Sequence, residues 1–131
     1  MYKYQSLEAW KGAHAALLLV LRSTDAAYHP RARSLFDQIR RAAVSVEANI
    51  VEGYALGTPG LCQRHLRIAL GSAAEAECLI RVAGELEYLT EGTSREIEEL
   101  LSHAMRALHG LLRVSPITQR RTAMGDRGSV I

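Results

Sequence analysis

Arg41, Ser45, Asn49 and Glu52 recur at steps of four, four and three within "LFDQIRRAAVSVEANIVEGY", Leu35 to Tyr54. On a helix that spacing draws one narrow polar strip beside an apolar seam. A comparable strip, Arg64, Arg67, Gly71, Ser72 and Glu75, follows in "RHLRIALGSAAEAE". Two kinds of chemistry suit such strips. Gln38, Ser45, Asn49, Glu52, Ser72 and Glu75 can satisfy one another between packed helices, as a polar network that fixes register more than it adds stability. Arg40, Arg41, Arg64 and Arg67 can pair with the glutamates of that network, or form a patch for a phosphate backbone. Adjacent helical residues point about 100° apart, so Arg40 and Arg41 cannot do the same job. The strip claims Arg41, and Arg41→Ala is expected to lower the melting temperature while Arg40→Ala is not.

Other chemistries find little support. Di-iron bundles use inward carboxylates with Glu-x-x-His pairs, and no Glu here has His at the third following position. Glu99 and His103, one turn apart, read as a local pair, and Cys62 with His65 supplies two ligands, half of a metal site. Gly53, Gly57 and Gly60 match no phosphate-binding loop. No Ser-His-Asp or Cys-His signature is present in the linear sequence. No metal or cofactor is expected, and the chain reads as non-enzymatic.

Four periodic segments must position these residues. The first, about Gln5 to Ala27, places Leu7, Trp10, His14, Leu17, Leu18 and Leu21 on its seam and stops at "YHPR". The second, about Ala32 to Leu56, carries Leu35, Ile39, Ala42, Val46, Ile50 and Gly53 and ends at "GTPG". Thr58 caps the third, with Pro59 at its first position. That helix runs to about Leu89, with Leu61, His65, Ile68, Ser72, Ala76, Leu79, Ala83 and Leu86 on its seam. A turn at Gly92 and a Thr93–Glu96 capping box open the fourth, about Ser94 to Val114. Its seam is Ile97, Leu100, Leu101, Ala104, Leu108, Leu111 and Leu112, and Pro116 blocks its continuation. With no convincing strand, the economical fold is all-α, an antiparallel up-down-up-down four-helix bundle over residues 1–114.

Within 131 residues the acids and bases of that bundle cancel, and the net charge of +2 comes from Arg120, Arg121 and Arg127 against Asp126 in a tail of residues 115–131. Such a tail is either a solvated end or a weakly basic contact for nucleic acid, with Arg120 and Arg121 as its candidates. Cys62 and Cys78 share one helix and are too far apart to pair, which fits a reducing, cytoplasmic setting. "AALLLVL", Ala15 to Leu21, is too short to span a bilayer, so no membrane association is expected.

The two strips, together with the Leu7 and Trp10 start, resemble the 23S rRNA intervening-sequence proteins, the four-helix bundle proteins. The matching positions are Gln38, Arg40, Arg41, Ala42, Ser45, Asn49, Glu52 and Gly53, then Ala69, Gly71, Ser72 and Glu75. Leu70 departs where an arginine is common, and Cys62 and His65 depart where acidic or aromatic residues are frequent, which weakens the basic character of that face. The resemblance implies an antiparallel four-helix bundle assembling as a ring-like homopentamer. The chain is similar, too, to the accessory variability proteins of diversity-generating retroelements, a likeness that implies a basic pentameric partner of a reverse transcriptase and its RNA. The partners expected are thus further copies of the chain and RNA or DNA, with a protein-binding scaffold that touches no nucleic acid as the alternative.

Overall fold

The computed structural model describes residues 4–55 and 58–113. Arg120, Arg121 and the rest of the basic tail lie outside the described residues. Four helices, α1 (Glu8–Ala26), α2 (Arg33–Ala55), α3 (Pro59–Glu85) and α4 (Glu91–Leu112), are joined by short turns, with single 3-10 turns at Tyr4–Ser6 and Pro30–Ala32. Each helix packs on its chain neighbours and α4 returns to α1, which closes the bundle. The pairing is antiparallel throughout. Between α2 and α3, Gln38 meets Glu75, Ser45 meets Ser72 and Asn49 meets His65. Between α3 and α4, Glu77 accepts from Ser102 while Arg81 donates to Glu98. Glu8 of α1 meets His103 of α4.

The core forms two stacked layers. Val20, Phe36, Ile39, Ile80, Ile97 and Leu101 fill the layer nearer the α1–α2 and α3–α4 turns, and Val46, Ile50, Leu66 and Leu108 fill the other. The expected seams hold for most of α2 and α4, whereas on α1 the seam is displaced and on α3 only Ala76 and Ala83 of the expected residues are fully buried. On α1 the buried residues are Ala9, Gly12, Ala13, Ala16, Val20 and Thr24, while Leu18 and Leu21 are exposed. On α3, Leu66, Ala69, Ala73, Ala76, Ile80 and Ala83 face inward, while Leu61, Ile68 and Leu86 are exposed. Alanine and glycine let helix axes approach closely, and a gap set by such small side chains excludes leucine. Hydropathy alone ranked leucine as core, and the close packing of alanine rows overrode it.

Helix ends show a second correction. Thr58 caps α3 as expected, accepting from the Leu61 N–H at 3.3 Å. The fourth helix, however, starts earlier than the Thr93–Glu96 box requires: Thr90 is the cap, accepting from the Thr93 N–H at 3.2 Å, and Gly92 lies inside the first turn. Helix α3 ends at Glu85 rather than Leu89. It closes with the Tyr88 N–H on the Ala83 carbonyl at 2.8 Å and the Glu87 N–H on the Gly84 carbonyl at 3.0 Å. This is a Schellman turn, whose left-handed residue is usually glycine. Here it is Glu87, at φ 62°. A side chain there costs on the order of 1 kcal/mol, so Glu87→Gly is expected to raise the melting temperature by about 3–5 °C in circular dichroism melts. An unchanged or lower value would show that the Glu87 side chain stabilises the turn.

Candidate functional site

The seam between α2 and α3 carries the α2 strip and, of the α3 strip, Ser72 and Glu75, because residues 38, 45 and 49 lie on the flank of α2 that faces α3 and residues 65, 72 and 75 on the matching flank of α3. Gly71 faces open space and Arg67 bonds to Gln63, on the α4 side. At its centre the Ser45 and Ser72 hydroxyls share a hydrogen bond of 2.7 Å. Asn49 Nδ2 donates to the Ser45 carbonyl at 2.9 Å and to Ser45 Oγ at 3.1 Å. That fixes the amide orientation, so Asn49 Oδ1 must accept from His65 Nδ1, 2.9 Å away. Glu52 stands 3.7 Å from the same nitrogen, and their pair is charged only when the imidazole is protonated. Nearer the other end, Arg41 donates to Gln38 Oε1 at 2.7 and 3.2 Å, and Gln38 Nε2 donates to Glu75 at 2.5 Å. Every member of the strip thus has a partner, and no buried side-chain polar atom among the described residues lacks one.

The two neighbouring arginines exchange the roles expected of them. Arg40 turns toward α1, where its Nε donates to Thr24 Oγ1 at 2.7 Å and its Nη2 meets Asp25 at 2.5 Å. Thr24 is fully buried, so this arginine ties α2 to the core of α1. Arg41 is exposed, and its guanidinium donates to the neutral Gln38. The reason is angular: the α1-facing flank of α2 passes through position 40, and the strip at 41 has already turned toward solvent.

Arg64 and Arg67 lie exposed on α3, where Arg67 Nη2 donates to Gln63 Oε1 at 3.3 Å. Among the described residues, no ion pair ties Arg41, Arg64 or Arg67 to a carboxylate. Cys62 is buried, and burial pushes its thiol up, partly offset by a hydrogen bond with Tyr54. His65, its would-be partner in a metal site, is committed to Asn49. Among the described residues no group of three His, Cys, Asp or Glu could hold a metal ion, and no helix is long and apolar enough to cross a membrane.

A second cluster escaped the linear reading. Glu47 of α2 accepts from the Trp10 indole N–H at 3.0 Å and from His14 Nδ1 at 3.0 Å, and the two rings stack with centroids 4.6 Å apart. Trp10 and His14 at four-residue spacing were visible, but nothing in the sequence points to a carboxylate on another helix. Beside this cluster His14, Leu17, Val44, Ala48 and Val51 line an open apolar groove between α1 and α2. Leu18, Leu21 and Val44 add exposed apolar surface to that side.

The family model described as 23S rRNA-intervening sequence protein matches residues 5–110 of the chain. No curated protein matches it.

Proposed function

Because this chain belongs to the 23S rRNA-intervening sequence protein family, we propose that it acts as a non-enzymatic, self-associating module that binds RNA or DNA in the cytoplasm. The observation that carries the reading is the set of three exposed arginines, Arg41 on α2 and Arg64 and Arg67 on α3, that have no carboxylate partner among the described residues. Arg41 and Arg67 donate only to the neutral amides of Gln38 and Gln63 in hydrogen bonds that leave their positive charge uncompensated, so phosphate oxygens can serve as their counter-charge. The α1–α2 groove supports self-association, a ring of five being the form that family resemblance favours. An exposed apolar surface of this kind is what a subunit contact buries.

The test is light scattering on a size-exclusion column with and without a structured RNA, followed by binding measured across a salt series. An oligomer that binds RNA with an affinity falling steeply as salt rises is the expected result. The double variant Arg64→Ala, Arg67→Ala is expected to weaken binding at low salt by about tenfold and to flatten the slope of log K against log salt by about 1.5. An unchanged slope would remove these two arginines from the interface. The same apolar groove favours a second reading, a protein-binding scaffold without nucleic acid, and an oligomer indifferent to RNA at every salt concentration would select it.

A further inference from the structure

The α1–α2 turn and the α3–α4 turn meet at one end of the bundle and enclose a cleft of about 300 Å³. That volume lies at the small end of the range of ligand pockets, about 300–1,000 Å³, and admits one ring system. Its walls combine Ala27 and Leu86 with the rings of His29 and Tyr88, and Arg31 and Glu87 line it too. Leu86 is 53% exposed, an apolar side chain left at the cleft rather than in the core. Tyr88 is held edge-on against Phe36, ring centroids 6.4 Å apart, so its ring is anchored.

The charges are segregated. His29 Nδ1 accepts from both the backbone N–H and Nε of Arg31, each at 3.2 Å, which holds the guanidinium against the turn, and Arg33 follows it, also exposed. Among the described residues neither arginine has a carboxylate partner. The opposite wall carries Glu87, the one non-glycine residue at positive φ among those described. Strain of that kind persists where the surroundings or a function require the side chain.

We infer that this cleft binds one unpaired nucleotide bearing an exocyclic amino group, cytidine or adenosine. Its base lies between Leu86 and the His29 and Tyr88 rings, its amino group donates to the Glu87 carboxylate, and its phosphate faces Arg31. A carboxylate accepts from the amino group of cytosine and finds no such donor on uracil. Aromatic rings hold a base of any kind by its face. The site is separate from the α2–α3 arginines, and it rests on the reading of the protein as a nucleic-acid binder.

The test uses the full chain and short fluorescent single strands of cytidine or uridine, followed by anisotropy at low salt. Wild type is expected to favour the cytidine strand about fivefold. Glu87→Gly is expected to erase that preference while melting at a higher temperature than wild type, so lost preference cannot be lost folding. Arg31→Ala is expected to weaken both strands by a similar factor. Displacement of the strand by cytidine monophosphate would identify a free nucleotide as occupant, and resistance to displacement a nucleotide within a strand. Equal binding of the two strands by wild type, or a preference that survives Glu87→Gly, overturns the cleft assignment alone. Failure to bind any strand or structured RNA overturns the nucleic-acid reading and this inference with it.

Discussion

Gly53→Leu is expected to lower the melting temperature by about 10 °C or more, the largest effect of any single change considered for the α2–α3 seam. A Cβ at position 53 would lie 3.3 Å from the Cys62 carbonyl oxygen and 3.2 Å from His65 Cβ. The first contact is backbone and cannot move without shifting the start of α3. Alanine meets that crowding but gains helix propensity of about 1 kcal/mol over glycine, so Gly53→Ala should stay within about 1 kcal/mol of wild type. Leucine adds three heavy atoms beyond Cβ that have no room between α2 and α3. Overpacking of this type costs about 1–3 kcal/mol and occasionally more, and at this chain length each kcal/mol is worth about 3–5 °C. The displaced segment also contains His65, so its hydrogen bond to Asn49 would be lost with it. Thermal and urea melts of the three proteins decide the matter; a leucine variant as stable as the alanine one would mean that the helix ends separate freely.

Arg40→Ala is expected to cost about 1–2 kcal/mol, and Arg41→Ala no more than about 0.5 kcal/mol. The Arg40 side chain is 30% exposed and its Asp25 partner 76%, so the ion pair itself is discounted for solvent screening. What remains is the charge-assisted bond to the buried Thr24 hydroxyl, which also donates to the Val20 carbonyl at 2.7 Å. Lysine cannot reproduce a fork that reaches Thr24 and Asp25 together, so Arg40→Lys should recover less than half of the loss. Arg41 stands in water beside a glutamine, so its removal should leave the melt nearly unchanged and, under the proposed nucleic-acid reading, appear in RNA affinity instead. Equal destabilisation by the two alanine variants, or a larger loss at position 41, would contradict the geometry.

How far the chain could be read without coordinates differs from element to element. That Ser45 and Asn49 belong to a polar network between helices was legible because helical periodicity alone puts polar side chains on one line, and a matching line on the next long helix invites pairing; that His65, placed on the apolar seam, is the partner of Asn49 was not. The Thr58 cap and the Pro30 break were legible because caps and prolines act within a few residues. The start of α4 was not, since two threonines three positions apart offer equivalent caps and only the packing of the buried Ser94 and Ile97 chooses between them. The Glu47 cluster and the cleft between the two turns join residues far apart in the chain, about which local pattern carries no information.

Fold class, helix number and antiparallel order follow from the sequence itself, because each depends on periodicity, turn residues and short connections that act locally. Which face of α1 and α3 turns inward, which of two adjacent arginines is structural, and where charge and strain converge at the bundle end were decided only in the tertiary structure. The physical reason is packing density: Ala9, Ala13 and Ala16 of α1 and Ala69, Ala73 and Ala76 of α3 are all buried, and side chains that small let neighbouring helices approach closely. Rotating a helix to bury its leucines would instead have to hold those axes apart.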